Sequence, residues 1–208
     1  EGVSVHAIGT PLITNSDGTK FGKSEGNAIW LDPEMCSPYA FYQFWLNTDD
    51  ADVATRLKVF TFLTRAEIEA LEQKVADEPF RREAQRRLAW EVTALVHGVD
   101  AATAAIDASQ ALFGQGELSA LDAETLAAAL RELPNISVPA GVTVVQALVD
   151  TGLCSSLGEA RRAVAQGGVS LDNVKVTDEA ASITGALPGG VSVLRRGKKT
   201  LAGIFIQG

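Results

Sequence analysis

Two lysines three positions apart, Lys20 and Lys23, stand in a glycine-containing segment that could hold a polyphosphate. Residues 17–27 read Asp-Gly-Thr-Lys-Phe-Gly-Lys-Ser-Glu-Gly-Asn, and Gly22 and Gly26 give this segment backbone freedom. Lysine supplies a compact, movable positive charge, which suits phosphate oxygens whose charge grows in a transition state. The alternative for so short a pattern is a solvated basic turn.

A second set of cations lies in the last quarter of the chain. Its members are Arg161, Arg162, Lys175, Arg195, Arg196, Lys198 and Lys199. The chain has a formal net charge of -8, but residues 1–154 carry 11 Lys and Arg against 22 Asp and Glu, whereas residues 155–208 carry 7 against 4. A basic segment on an acidic body can still bind phosphates, because the local field governs the contact. The charge alone therefore permits contact with phosphates, and an ordinary solvated face is the alternative.

A third group of cations supports two interpretations. Its members are Arg81, Arg82, Arg86 and Arg87. They could contact RNA, or they could pair with Glu78, Glu83 and Glu91 on a helix surface. The sequence favours neither interpretation.

Metal and disulfide chemistry have little support in the sequence. Cys36 and Cys154 are far apart and form no CxxC pair, so we expect two free thiols in a reducing compartment. His6 and His97 are isolated, and we expect no protein-bound metal. No apolar run approaches the ~18 residues of a membrane span, and the first residues resemble no secretion signal. They also lack an initiating Met, so we expect the chain to be a piece of a longer protein.

The elements that would position these residues are mostly helical. Ser37 and Pro38 form an N-cap followed by a proline in the first helical position, and Thr64 to Glu67 is a capping box. Pro79 is expected to start a further helix and Gly98 to end it. These signals predict an all-helical central unit.

Shorter elements flank this unit. Ile8 to Thr14 is apolar and β-tolerant, which predicts a strand, whereas two prolines and a glycine in residues 134–142 predict a linker. Ser156 to Glu159 is another capping box, and the segments 169–176 and 191–206 predict two strand pairs. The expected fold class is therefore mainly α with an α+β tail.

The loop around Lys20 resembles a known signature. Lys20-Phe21-Gly22-Lys23-Ser24 is similar to the KMSKS loop of class I aminoacyl-tRNA synthetases, in the form found in bacterial, actinobacterial-like tyrosyl-tRNA synthetases. The stretches Thr10 to Thr14 and Ser37 to Thr48 match that family as well. The resemblance implies that Lys20, Phe21, Gly22, Lys23 and Ser24 bind ATP and that the two lysines are catalytic, with Lys23 in the more direct contact.

The C-terminal stretch from Ser155 to Val176 resembles the α-L RNA-binding module that ends bacterial tyrosyl-tRNA synthetases. It departs from the module at Gly158, where lysine or aspartate is common, and at Asp172-Asn173, where Asn-Gly is frequent. We expect the turn at Asp172 to survive this change. The resemblance supports RNA binding by the seven cations named above.

The resemblance also implies an arrangement in domains. Residues 1–36 would be the end of a Rossmann-like catalytic domain, and residues 37–133 a helical anticodon-binding domain. Residues 134–142 would be a linker, and residues 143–208 a small α-L, ribosomal-protein-like RNA-binding domain.

The implied function is that of a tyrosine–tRNA ligase. The complete enzyme would activate tyrosine with ATP and Mg²⁺ to tyrosyl-adenylate and transfer the tyrosyl group to tRNA(Tyr), as a cytoplasmic homodimer without membrane contact. This chain lacks the HIGH motif and most of the nucleotide-binding sheet, so it is expected to be inactive without the N-terminal half. The alternatives are a non-catalytic structured-RNA-binding module and a synthetase remnant that binds a protein partner.

Overall fold

The computed structural model describes residues 6–22, 29–198 and 200–207. The helices within these ranges are α1 (Pro38–Leu46), α2 (Asp50–Phe60), α3 (Arg65–Asp77), α4 (Glu83–His97), α5 (Val99–Leu112), α6 (Ala123–Arg131), α7 (Val144–Asp150) and α8 (Leu157–Ala165). The strands are β1 (Asn135–Pro139), β2 (Val169–Leu171), β3 (Val174–Lys175), β4 (Val191–Arg196) and β5 (Thr200–Gln207). The predicted combination of many helices with a small sheet is confirmed.

Local capping signals set the ends of several helices. At the start of α1, the Ser37 hydroxyl accepts a hydrogen bond from the Ala40 amide at 3.1 Å. Thr64 and Glu67 form the reciprocal capping box that opens α3, and Gly98, with a φ of 91°, ends α4. These caps satisfy backbone groups that a helix end otherwise leaves unpaired, and the three predictions are confirmed.

The start of α4 differs from the prediction. Pro79 opens a single 3₁₀ turn, Pro79–Arg81, and α4 begins only at Glu83. The residue between them, Arg82, has a φ of 51°, in the left-handed region that breaks a helical path. Its guanidinium donates to the carbonyls of Leu46 at 2.7 Å and Thr48 at 3.1 Å, so this kink also closes the end of α1.

The helical core lies where α1 packs against α4 and α5 and where α2 packs against α4. Phe41, Leu57 and Leu88 are fully buried there, and Trp45 meets Phe41 edge-on with ring centroids 6.1 Å apart. Alanines such as Ala108 on α5 are also fully buried, so this helix approaches its neighbours closely. The predicted aromatic-rich helix is therefore a core element.

The sheet has the strand order β1-β5-β4-β2-β3, with β1 parallel to β5 and the other neighbours antiparallel. Strand β1 lies in residues 134–142, for which the sequence predicts a linker. Ile136 and Val138 are half-buried and alternate with exposed residues, the period of a strand with one covered face. Pro139 is tolerated because β1 is at the sheet edge. The segment leaves the helical path, as predicted, and then enters the sheet.

Two cores meet at this sheet. Leu148 of α7, Val164 of α8 and Ile204 of β5 belong to a core between the last two helices and one sheet face. Val193 and Leu201 belong instead to the core of the helical unit. Successive side chains of a strand point to opposite faces, so α7 and α8 cover one face of the sheet and the helical unit contacts the other.

The strand predicted at Ile8 to Thr14 is wrong. Thr14 forms an isolated bridge to Lys20, and residues 6–13 form no strand. A strand needs a paired neighbour for its backbone groups, and the described residues supply one only at Thr14. Ile8 is 96% exposed. Among the described residues, no helix is long and apolar enough to cross a membrane.

Candidate functional site

A tight turn precedes the predicted ATP loop and presents Lys20. The Asn15 amide donates to the Thr19 carbonyl at 2.8 Å, and Thr14 bridges to Lys20. Asp17 accepts hydrogen bonds from the Thr19 hydroxyl at 2.6 Å and the Thr19 amide at 2.9 Å, and these bonds, the hydroxyl first, lower the pKa of Asp17. Lys20 itself is exposed at the end of the turn.

Phe21 anchors the beginning of the loop on the helical unit. Its amide donates to the Ile13 carbonyl at 3.1 Å. Its ring lies among three aromatic side chains, with centroid distances of 5.9 Å to Phe44, 5.7 Å to Trp45 and 5.5 Å to Phe60. Such tilted pairs are favourable beyond the area they bury. The residue between the two predicted catalytic lysines is thus fixed to α1 and α2.

Arg56 on α2 ties this anchor together. It is nearly buried, and its guanidinium donates to Asp52 at 3.1 Å and to the Asn15 side chain at 2.7 Å. The same guanidinium lies over the Phe21 ring, 4.3 Å from the ring centroid, in a cation–π contact. One arginine therefore holds the turn, the aromatic anchor and an acidic residue of its own helix.

The remaining loop residues divide between described and undescribed positions. Gly22 has a φ of 70°, a left-handed conformation that favours glycine. Lys23 and Ser24 lie outside the described residues, so the ATP-binding assignment of Lys20, Phe21, Gly22, Lys23 and Ser24 stays a prediction. Within the described ranges, no group of three or more His, Cys, Asp or Glu could hold a metal ion.

The first turns of α8 present two of the predicted RNA-binding cations. The Ser156 hydroxyl accepts from the Glu159 amide at the start of the helix. Arg161 and Arg162 are exposed, and Arg161 lies 3.8 Å from Glu179 in a surface ion pair. Pairs of this kind are weak in water, so both guanidinium groups remain accessible to a phosphate.

Lysines extend this basic surface across the edge of the sheet. Lys175 is exposed on β3, and its ammonium lies against Gly167, where an added Cβ would approach it to 2.5 Å. Lys198 is exposed in the turn between β4 and β5, whereas Lys199 lies outside the described residues.

Arg196 has partners inside the tail. Its guanidinium donates to the Leu153 carbonyl and, at 2.7 Å, to the carboxylate of Glu159. The Glu159 carboxylate also accepts from the Ser155 hydroxyl at 2.6 Å and amide at 2.7 Å. The Ser155 bonds first, and then Arg196, lower the pKa of Glu159 to about 2. Only half of the predicted capping box therefore forms, because Glu159 reaches Ser155 and Arg196 rather than the Ser156 amide.

Arg195 points away from the surface formed by Arg161 and Arg162, toward the helical unit. Its guanidinium donates to the Leu112 carbonyl at the end of α5 and to the Asn173 side chain, each at 2.6 Å. Both Arg195 and Arg196 therefore have hydrogen-bond partners within the protein. To make the predicted RNA contacts, each guanidinium would have to bind RNA in addition to these partners.

Two of the four arginines of the helical unit, Arg81 and Arg87, follow the pairing interpretation. Arg81 pairs with Glu78 at 3.3 Å and with Glu83 at 3.5 Å. Arg87 pairs with Glu91 at 2.7 Å. Arg82 bonds backbone carbonyls, as described above, and Arg86 is exposed beside them. Arg81, Arg82 and Arg87 are thus engaged within the protein, which favours a structural role for these three.

Sequence reasoning missed the residues that position these groups. The i,i+4 spacing of Asp52 and Arg56 could have signalled an intrahelical ion pair. Their contacts to Asn15 and Phe21 join segments distant in sequence, and no local pattern announces them. The same holds for Asn173, for which the sequence indicates only a turn.

Comparison with known proteins identifies two family models that match this chain. Residues 3–114 match "tRNA synthetases class I (W and Y)", and residues 125–203 match "Tyrosine--tRNA ligase SYY-like C-terminal domain". The chain is 69% identical to a tyrosine–tRNA ligase of Leifsonia xyli, with 100% of this chain and 47% of the relative covered. A tyrosine–tRNA ligase of Streptomyces coelicolor is 54% identical, with 99% of this chain and 49% of the relative covered.

A solved structure of a C-terminally truncated mitochondrial tyrosyl-tRNA synthetase from Aspergillus nidulans shares 42% identity over 46% of this chain and 24% of its own, with a TM-score of 0.39. The chain spans about half the length of the Leifsonia and Streptomyces relatives. Because the first family model covers more than half of the chain and these relatives match nearly all of it, the chain belongs to the tyrosine–tRNA ligase family of class I aminoacyl-tRNA synthetases.

Proposed function

We propose that this chain supplies the ATP loop and the tRNA-binding part of a tyrosine–tRNA ligase. The observation that carries the proposal is the 69% identity to a tyrosine–tRNA ligase over the full length of the chain. The anchored start of the loop supports it, since Phe21 and Arg56 hold the backbone beside Lys20 in one place. The activity requires an N-terminal half comparable to the one that the relatives have.

In the complete enzyme, a carboxylate oxygen of tyrosine attacks the α-phosphorus of ATP. The bond to the β-phosphate breaks, pyrophosphate leaves, and tyrosyl-adenylate forms. A ribose hydroxyl at the 3′ end of tRNA(Tyr) then attacks the tyrosyl carbonyl and releases AMP. Lys20 and Lys23 neutralise the negative charge that builds on the departing pyrophosphate. Mg²⁺ arrives bound to the ATP phosphates.

The Phe21 anchor suggests how the lysine pair is used efficiently. Electrostatic stabilisation acts best when the charged group is held near the place where charge develops. With Phe21 fixed on α1 and α2, the loop backbone is tethered between the two lysines. Lys20 then lies on the anchored side, and Lys23 follows Gly22, which gives the chain freedom to close over ATP.

The tRNA-binding assignments complete the proposal. The helical unit would recognise the anticodon region, and the α-L tail would bind the tRNA backbone through Arg161, Arg162, Lys175, Lys198 and Lys199. We further propose that the complete enzyme is a cytoplasmic homodimer.

The test uses a chimera in which this chain replaces the matching half of the Leifsonia xyli relative. We expect Lys23→Ala to slow tyrosine-dependent ATP–pyrophosphate exchange by about 100-fold or more, the usual cost of losing one transition-state contact. Lys20→Ala should slow it less, and tyrosine binding should persist in both. Lys58→Ala is the matched control, because Lys58 pairs with Glu72 on the helix surface and should leave exchange unchanged.

An unchanged exchange rate in Lys23→Ala would contradict the assignment of the loop. The 208-residue chain alone should bind tRNA(Tyr) and catalyse no exchange. Salt-sensitive binding to structured RNA without preference for tRNA(Tyr) would favour a non-catalytic RNA-binding module instead.

A further inference from the structure

The C-terminal end of α5 receives two side chains from the β-sheet tail. Asn173 donates from its side-chain amide to the Ala111 carbonyl at 3.2 Å, and Arg195 donates to the Leu112 carbonyl at 2.6 Å. The last carbonyls of a helix have no partner within the helix. A guanidinium at this end also complements the negative end of the helix dipole. The tail thus caps a helix of another unit.

The two capping side chains are coupled to each other. Arg195 donates to the side-chain oxygen of Asn173 at 2.6 Å, which leaves the Asn173 amide nitrogen directed at Ala111. An added Cβ on Gly114, just beyond the end of α5, would lie 3.4 Å from the Arg195 guanidinium, so the chain that follows α5 lies against this guanidinium.

The turn that carries Asn173 is held rigidly. Asp172 and Asn173 have φ values of 51° and 65°, the pattern of a two-residue hairpin turn between β2 and β3. The Asp172 carboxylate accepts from the Val193 amide at 2.7 Å and from the Ser192 hydroxyl at 3.1 Å. Asn173 is therefore fixed to β4, the strand that carries Arg195.

Apolar contacts surround these bonds. Val193 and Leu201 from the sheet belong to the helical core. On strand β5, an added Cβ on Gly203 would lie 2.9 Å from Leu130 of the neighbouring helix α6, so the strand approaches that helix closely. The bonds of Asn173 and Arg195 to the α5 carbonyls are partly buried beside this packed interface, where water competes less for them.

We propose that Arg195 and Asn173 form a latch that fixes the basic tail to the helical unit. In this assignment Arg195 is a positioning residue for tRNA binding and not one of the groups that bind phosphate. The latch holds Arg161 and Arg162 in one orientation relative to the helical unit, so that both units can engage one RNA with little further ordering. This consequence for RNA rests on the proposed function, whereas the latch itself does not.

Salt dependence separates a phosphate ligand from a latch. Binding of a tRNA(Tyr) transcript to the 208-residue chain is measured across a series of KCl concentrations for Arg195→Ala, Asn173→Ala and Arg162→Ala. Loss of one phosphate contact makes the negative slope of log K against log salt shallower by about 0.9. We expect that loss for Arg162→Ala. Arg195→Ala and Asn173→Ala should each weaken binding about tenfold, through lost pre-organisation, with the slope unchanged.

A second measurement tests the latch without RNA. Spin labels are attached at Asp107→Cys on α5 and Thr177→Cys after β3, both exposed positions, with Cys36 and Cys154 replaced by alanine. The parent chain should give one narrow distance distribution. Asn173→Ala, which removes no charge, and Arg195→Ala should both broaden it, and Arg162→Ala should not.

Two results would overturn the latch. One is a narrow distribution in both latch variants. The other is a slope that becomes shallower by about 0.9 in Arg195→Ala while Asn173→Ala binds normally, which would make Arg195 a phosphate ligand. If the parent chain binds no tRNA, the proposed function fails, and the spin-label experiment still decides on the latch.

Discussion

Replacing Arg56 with methionine should destabilise the chain by about 3 kcal/mol, the lower end of the range for breaking a buried ion pair. The side chains of Arg56 and Asp52 are only 7% and 11% exposed, so the substitution leaves a carboxylate that water scarcely reaches. It also removes the hydrogen bond to Asn15 and the cation–π contact to Phe21. Methionine retains much of the side-chain volume, so the loss reflects the missing charge and hydrogen-bond donors rather than a cavity.

Urea denaturation followed by tryptophan fluorescence measures this loss, because Trp45 adjoins Phe21 in the aromatic anchor. Arg65→Met is the matched control. Arg65 pairs with Glu69 at the same i,i+4 spacing and at 2.6 Å, but the two side chains are 91% and 56% exposed. An exposed pair of this kind contributes less than about 1 kcal/mol.

A double variant gives the sharper test. In Arg56→Met with Asp52→Leu, no charge stays buried without a partner, so the double variant should be more stable than Arg56→Met alone. A loss below about 1 kcal/mol in Arg56→Met would show that solvent reaches the pair and refute the reasoning. Additive losses in the double variant would refute it as well, because they would mean that the two charges are independent.

Two further predictions concern the tail. The pKa of Glu159 falls from 4.5 to about 2 through its bonds to Ser155 and Arg196, so the stability it contributes is complete above pH 4.5 and is lost as the pH falls toward 2. Glu159→Gln should therefore lower Tm at neutral pH, and the difference from the parent chain should shrink below pH 4.5; a constant difference would contradict the assignment. Gly203→Ala should cost about 2 kcal/mol of unfolding free energy in urea, because the new methyl would lie 2.9 Å from Leu130; unchanged stability would mean that α6 and β5 can separate freely.

The elements that the sequence predicts well depend on local bonds. The caps at Ser37, Thr64 and Gly98 involve atoms within a few residues of each other, so the local sequence is enough to predict them. The turn at Asp172-Asn173 survives the departure from Asn-Gly for the same reason, since both residues tolerate positive φ.

The elements that the sequence misses depend on distant partners. Strand β1 exists because β5 pairs with it, and β5 lies at the opposite end of the tail. The start of α4 moves from Pro79 to Glu83 because Arg82 reaches back to carbonyls at the end of α1. The sequence around β1 does not indicate that β5 pairs with it, and the sequence around Arg82 does not indicate its contacts with α1.

The candidate site shows the same division. The resemblance selects Lys20 and Phe21, and the structure supplies the reason why Phe21 stands between two lysines, which is its packing against Trp45 and Phe60. The sequence offers no sign that Arg56 completes this anchor, because its contacts join three separate segments.

Positive charge in this chain serves two purposes that the sequence alone does not separate. Arg56, Arg82 and Arg195 each donate to oxygen atoms of another segment. The planar guanidinium suits this work, because it offers several donors in a fixed geometry and is weakly hydrated. Arg161 and Arg162 stay exposed on α8. Under the proposed latch, Arg195 fixes the direction in which Arg161 and Arg162 point, so removing this cation, which touches no RNA, should still weaken RNA binding.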